Sequence, residues 1–121
     1  MKKIRIGTRQ SPLALWQANK IASILGAKGH ETEIVAITSE GDDNLKQPIY
    51  SLGLTGVFTR SLDIALLNDK VDIAVHSLKD VPTVLPETLQ LVAYPERASS
   101  ADILVYKSED IFEKEHRVIA T

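Results

Sequence analysis

A chain of 121 residues is long enough for one domain, or for one domain and part of another. With 44% hydrophobic and 25% charged residues it can build a core, which argues against disorder, and a net charge of −2 offers no pull toward nucleic acid or an anionic membrane. The absence of cysteine excludes disulfide and thiolate chemistry within the chain.

Residues 3–7 alternate as a short strand and meet a polar turn at Gly7-Thr8-Arg9-Gln10. The N-terminus is basic but no apolar stretch follows it, so it does not read as a signal peptide, and no run is long enough to span a bilayer; a cytoplasmic protein is expected. Ser11-Pro12 has the chemistry of a helix start: the hydroxyl accepts an orphan amide and the ring presets φ. Leu13, Trp16, Ala18, Ile21, Ile24 and Leu25 then recur at roughly helical spacing, with Gly26 or Gly29 as the stop. A second alternating strand over 31–38 completes a βαβ unit.

Residues 39–56 form a long loop with Gly41, Pro48, Gly53 and Gly56, and loops of that length are usually functional. A helix over 57–68 is expected to bury Phe58, Leu62, Ala65 and Leu66. The apolar run 71–75 predicts a strand buried on both faces, and 89–93 predicts another. Alternating strands and helices indicate an α/β fold with a mostly parallel sheet flanked by helices. Beyond a crossing point at 96–101 come a strand (103–106), a short polar helix (110–115) and the start of a last strand (118–120). These twenty or so residues cannot bury a core of their own. The expected organisation is therefore one α/β domain over 1–95 and the incomplete start of a second over 96–121.

In a parallel sheet all strands end at one edge, where open α/β folds bind ligands. The Thr8-Arg9-Gln10-Ser11 turn and the Ser77-Leu78-Lys79-Asp80 turn should face one crevice. The first offers a guanidinium, which can grip a carboxylate bidentately, beside a helix N-terminus. The second offers a hydroxyl, an ammonium and a carboxylate, after which Val81-Pro82 blocks a helix. Arg9, Ser11, Lys79 and Asp80 suggest a pocket for a small ligand bearing carboxylates, with one acid left for proton transfer or for stabilising a cation.

Gly7-Thr8-Arg9-Gln10-Ser11-Pro12-Leu13-Ala14-Leu15-Trp16-Gln17-Ala18 and Val75-His76-Ser77-Leu78-Lys79-Asp80-Val81-Pro82 resemble the two N-terminal signatures of porphobilinogen deaminase, also called hydroxymethylbilane synthase. Between them Ser39-Glu40-Gly41-Asp42, Gly53, Gly56, Phe58 and Leu62 fall where that family has its loop and helix start, so the likeness runs over residues 3–97. It implies a periplasmic-binding-protein-like (type II) domain followed by the truncated start of a similar one. It also implies a transferase of heme biosynthesis that joins four porphobilinogen molecules into hydroxymethylbilane and releases ammonia. The family's dipyrromethane cofactor is bound to a cysteine in a third domain, a residue this chain lacks, so the chain alone is expected to be inactive. Asp80 would be the catalytic carboxylate, balancing the charge of an azafulvene cation through the pyrrole N–H. Arg9, Ser11, Ser77 and Lys79 would hold acetate and propionate arms, with Gln17 and Phe58 nearby. Family members are usually monomeric; no nucleic acid, membrane or metal is implied, although a fragment with open strand edges could associate.

The chain departs from the family pattern at Ser51 and Thr55, where lysines are usual, and at Ala101, where a second arginine accompanies Arg97. Blander accounts exist for several residues. Arg9 is equally well explained by pairing with an acid, and Lys79-Asp80 by a solvated turn. Leu13, Leu15 and Trp16 read as packing, and His76 as an inward ring bonded to backbone, since a lone His is no metal site. His30 and His116 read as surface residues, Glu109, Asp110 and Glu113 as one exposed face, and the acids at 40–43 lack EF-hand spacing. The competing function is a non-catalytic binding domain for a small carboxylate.

Overall fold

The computed structural model describes residues 2–38, 59–103, 105, 106, 108–113, 115 and 116. The loop expected over 39–56, Phe58 and the strand expected at 118–120 lie outside the described residues. The chain divides into two compact units, Met1–Leu91 and Val92–Thr121.

Among the described residues the first unit holds three parallel strands, β1 (Ile4–Thr8), β2 (Thr32–Ala36) and β3 (Ile73–Ala74), in the order β2-β1-β3. The N-terminal strand is thus the central one, and Ile6, Gly7 and Thr8 are buried. Between β1 and β2 runs α1 (Pro12–Ala27). Ser11 caps it, its Oγ accepting the Ala14 amide at 3.3 Å, and Pro12 opens its first turn. At its far end Gly29 takes φ 86°, so that His30 N donates to Leu25 O (3.1 Å) and Gly29 N to Gly26 O (2.9 Å). That left-handed residue stops the helix and turns the chain back into β2.

The helix α2 (Arg60–Leu67) covers β1, burying Leu62, Ile64 and Ala65 with Val71 and Ile6. Gly7 makes this approach possible: a Cβ there would lie 3.0 Å from Val71 Cγ2 and 3.1 Å from Leu62 Cδ2. Thr59 at the start of α2 donates to Asp63 Oδ2 (3.0 Å) instead of capping the helix through its side chain. Asp63 is buried, which pushes its carboxyl above the usual range, and the Thr59 bond offsets part of that rise.

Several expectations need correction. The strand expected over 71–75 shortens to two residues of half-buried β3, because it pairs with β1 alone and has no second neighbour among the described residues. The helix expected over 57–68 begins at Arg60, and Leu66 is only half-buried. No strand forms over 89–93: Leu89 N closes a turn onto Pro86 O, and Leu91, Val92 and Tyr94 are exposed with no strand among the described residues to pair with. The described residues of 103–106 carry no strand either, with Ile103 and Val105 exposed. The helix expected at 110–115 is a 3-10 segment, Glu109–Phe112, beside which Tyr106 and Phe112 meet edge to face at 5.0 Å. Leu13 and Trp16 do not pack: both are 59% exposed, because α1 turns Ala14, Gln17, Ala18 and Ile21 inward and leaves positions 13, 16, 20 and 24 outside. Trp16 instead lies beneath Lys20 Nζ, 5.5 Å from its ring centre.

Candidate active site

Parallel pairing sends β1 and β3 out of the same edge of the sheet. Gly7 stands opposite Ala74, and Val75 N closes the ladder onto Gly7 O at 3.0 Å. Two short turns leave from this point, one carrying Arg9 and Ser11, the other Ser77, Lys79 and Asp80.

In the first turn Thr8 is buried and its hydroxyl donates to Arg9 O (3.1 Å), while Ile37 N donates to Thr8 O (2.8 Å). The buried end of the central strand is thereby fixed, and exposed Arg9 and Ser11 project from a rigid base. The second turn is one turn of 3-10 helix, Leu78–Asp80, closed by Asp80 N to Ser77 O (3.0 Å) and Val81 N to Leu78 O (3.1 Å). It ends because Val81, preceding Pro82, is extended at φ −81°, ψ 125°. Within it Lys79 is exposed and Asp80 half-buried.

Gln17 and Ser77 join α1 to this second turn. Gln17 Nε2 donates to Ser77 Oγ at 3.0 Å, and the same hydroxyl stands 3.3 Å from Gln17 Oε1 as donor. Both side chains are part-buried, whereas Arg9, Ser11 and Lys79 face solvent.

His76 ties the two turns together electrostatically. Burial holds its ring below the ordinary value of 6.5; the Asp80 carboxylate draws it up and the Arg9 guanidinium presses it down. Both charges therefore act on one imidazole at the end of β3. The expected hydrogen bond from this ring to backbone is not among those of the described residues, and desolvation rather than a partner sets its state. Its role as the common neighbour of Arg9 and Asp80 was not legible from sequence, since it depends on which way the ring faces.

Of the expected site residues, Arg9 and Ser11 are carried by the turn after β1, Gln17 by α1, and Ser77, Lys79 and Asp80 by the turn after β3, while Phe58 lies outside the described residues. Arg9 and Lys79 supply positive charge suited to carboxylates, Ser11 a hydroxyl, and Asp80 an acid. Among the described residues no cluster of three or more His, Asp or Glu could hold a metal, and no helix is long and apolar enough to cross a membrane. A cavity of about 200 Å³ lies elsewhere, between Ile37 and Thr38 after β2 and Ser61, Ala65 and Lys70 at α2. None of the expected site residues lines it.

A family model described as "Porphobilinogen deaminase, dipyromethane cofactor binding domain" matches residues 4–121. The chain is 46% identical over 116 residues to a "Probable porphobilinogen deaminase" of Methanocaldococcus jannaschii, covering 96% of this chain and 39% of that protein. It is 50% identical over 105 residues to a protein of the same description from Thermoplasma volcanium, covering 87% of this chain and 35% of that one. A "Porphobilinogen deaminase" of Desulfosudis oleivorans is 42% identical over 109 residues, covering 90% and 35%. The chain thus spans between 35% and 39% of the length of these relatives.

Proposed function

The chain belongs to the porphobilinogen deaminase family, and we propose that it forms the N-terminal part of an enzyme joining four porphobilinogen molecules head to tail into hydroxymethylbilane, with loss of ammonia at each step. The observation that carries this reading is the parallel pairing of β1 with β3, which brings the Arg9 turn and the Asp80 turn out of one edge of the sheet.

Asp80 is the proposed catalytic residue. Its carboxylate accepts the pyrrole N–H of the substrate. As the aminomethyl group loses ammonia, positive charge spreads to that ring, and a fixed carboxylate beside it lowers the barrier. Asp80 also moves the proton that the departing amine requires. Arg9 and Lys79 hold substrate carboxylates, Arg9 in the two-pronged manner open to a guanidinium. Ser11 adds a hydroxyl at the start of α1, and Phe58 remains a proposed neighbour of a pyrrole ring. Ser77 donates to an arm only by turning its hydroxyl away from Gln17 Oε1, whereas Gln17 Nε2 carries a second N–H that can reach one with the bond to Ser77 intact.

Dipyrromethane, when bound, supplies the pyrrole end onto which the chain of rings grows. The exposed cations and hydroxyl of this edge fit its carboxylates, and Arg9, Ser11 and Lys79 would hold them. No residue of this chain can make its thioether link, since none is cysteine. The domain is read as periplasmic-binding-protein-like of type II over 1–95, with 96–121 opening a second, and the enzyme as a cytoplasmic monomer.

The test is to supply porphobilinogen to the full-length product of the parent gene and assay hydroxymethylbilane. Asp80→Asn is expected to keep the fold and the bound primer and to lose nearly all turnover. Near-normal product formation by this variant would remove Asp80 from its role, and no product from the wild type would sink the enzyme reading.

A further inference from the structure

Strand β3 presents the Asp80 turn, yet only two of its residues pair with β1. Backbone pairing that short is a weak support for a turn that must hold a carboxylate to within a fraction of an ångström. The support is lengthened by a side chain. Asp72 N donates to Arg5 O (2.9 Å), and Asp72 Oδ2 accepts the Arg5 amide at 2.8 Å. A carboxylate oxygen here does what the carbonyl of a further strand residue would do, adding a rung before Ile6 meets Ile73.

The Arg5 guanidinium closes the same joint. Nε donates to Asp72 Oδ2 (3.0 Å) and Nη2 to Asp72 Oδ1 (2.9 Å). Nη1 reaches Asp69 O (2.6 Å), and Nη2 also reaches Asp69 Oδ1 (2.9 Å). Asp69 is the left-handed residue (φ 54°) that ends α2, with Lys70 N on Ala65 O and Asp69 N on Leu66 O. One side chain of the central strand therefore fastens both the end of α2 and the start of β3. The pair also holds the Asp72 carboxyl well below the usual range and raises Arg5, so neither charge is lost at physiological pH.

We propose that Arg5 is a positioning residue for Asp80: its fork on Asp72 sets the register of β3 against β1 and so the distance between the Asp80 turn and the Arg9 turn. This rests on the assignment of Asp80 as the catalytic carboxylate. Arg9 follows directly on β1, whose last residue Thr8 is held by Ile37 N from the β2 side, and keeps its place when the joint loosens, so substrate is still held while the carboxylate moves.

The variants are Arg5→Met, Asp72→Asn, which keeps the shape of the acceptor, and Arg5→Lys, which keeps the charge but not the fork. Lys2→Met is the control, since Lys2 touches Asp72 only at 3.4 Å and is exposed. Hydrogen exchange of the full-length gene product should quicken over 75–81 in Arg5→Met and Asp72→Asn and stay unchanged over 32–36. Turnover number should fall by about tenfold or more with KM within about twofold, as a misplaced catalytic group predicts, and Arg5→Lys should fall between. Wild-type exchange over 75–81 in both variants would overturn the proposal. So would an even quickening of exchange throughout with kcat per folded molecule unchanged. If Arg5→Met does not fold, Asp72→Asn decides by the same measurements. If the wild type makes no hydroxymethylbilane, the enzyme reading fails while the exchange measurements still decide whether Arg5 places the turn.

Discussion

Gln17 in α1 and Ser77 after β3 hold each other across sixty positions of sequence, the Gln17 amide meeting the Ser77 hydroxyl at 3.0 Å and 3.3 Å. The first helix is thereby fixed to the turn that presents Lys79 and Asp80. Removing one partner strands a part-buried polar group, so Gln17→Ala and Ser77→Ala should each cost about 1 kcal/mol of stability. Because both lose the same bond, the double variant should cost less than the sum, with a coupling of about 0.5 kcal/mol or more in a denaturant-based mutant cycle. Strict additivity would show that the bond is not made in solution.

His76 reports on the meeting of the two turns. Its imidazole should titrate below 6.5 in the wild type, lower still in Asp80→Asn and higher in Arg9→Ala, since the acid raises it and the guanidinium depresses it. NMR titration of the three proteins gives the order directly. An Arg9→Ala spectrum in which His76 does not move would place that guanidinium away from the ring.

The same depressed ring makes folding sensitive to acid. The unfolded chain takes up a proton near 6.5 and the folded one only at lower pH, so this group leaves stability intact above 6.5 and removes it as pH falls through the folded value. Stability measured from pH 7.5 to 5 should fall less steeply in His76→Gln than in the wild type. An identical slope in both would show that His76 is hydrated in solution.

Gly7→Ala should destabilise the first unit by about 1–3 kcal/mol, the usual cost of overfilling a packed core. The new methyl meets Val71 and Leu62 at 3.0–3.2 Å, and both are buried and cannot swing away. Val71→Ala in the same background should recover part of the loss in thermal denaturation. A neutral Gly7→Ala would mean that α2 can lift from the sheet at no cost.

Arg9→Ala in the full-length gene product should raise KM for porphobilinogen or impair primer loading, with the far-UV spectrum unchanged. Unaltered kinetics and loading would leave Arg9 a purely structural residue.

The first βαβ unit was legible because its signals are local. Ser11-Pro12 starts the helix and Gly29 stops it, and both act within a few residues of themselves. The strands expected at 89–93 and 103–106 show the opposite case. Apolar runs mark them, but a strand exists only where a neighbour offers its backbone, and none does among the described residues. The exposure of Leu13 and Trp16 had the same cause, since the phase of α1 is set by what it rests on. At the candidate site, Arg9 and Asp80 could be named from strand ends and motif. The Arg5–Asp72 joint spans 67 positions, and nothing local to either residue announces the other.

Placing the N-terminal strand at the centre of the sheet imposes an order on how the molecule is assembled. Once residue 36 has left the ribosome, β1, α1 and β2 can close on one another through contacts near in sequence. The other flank of β1 must wait, unpaired, until residue 74 emerges, and its closure bridges a loop of some sixty-seven residues, the kind of contact that forms slowly. The acid proposed for the chemistry is therefore among the last parts of the first unit to find its place.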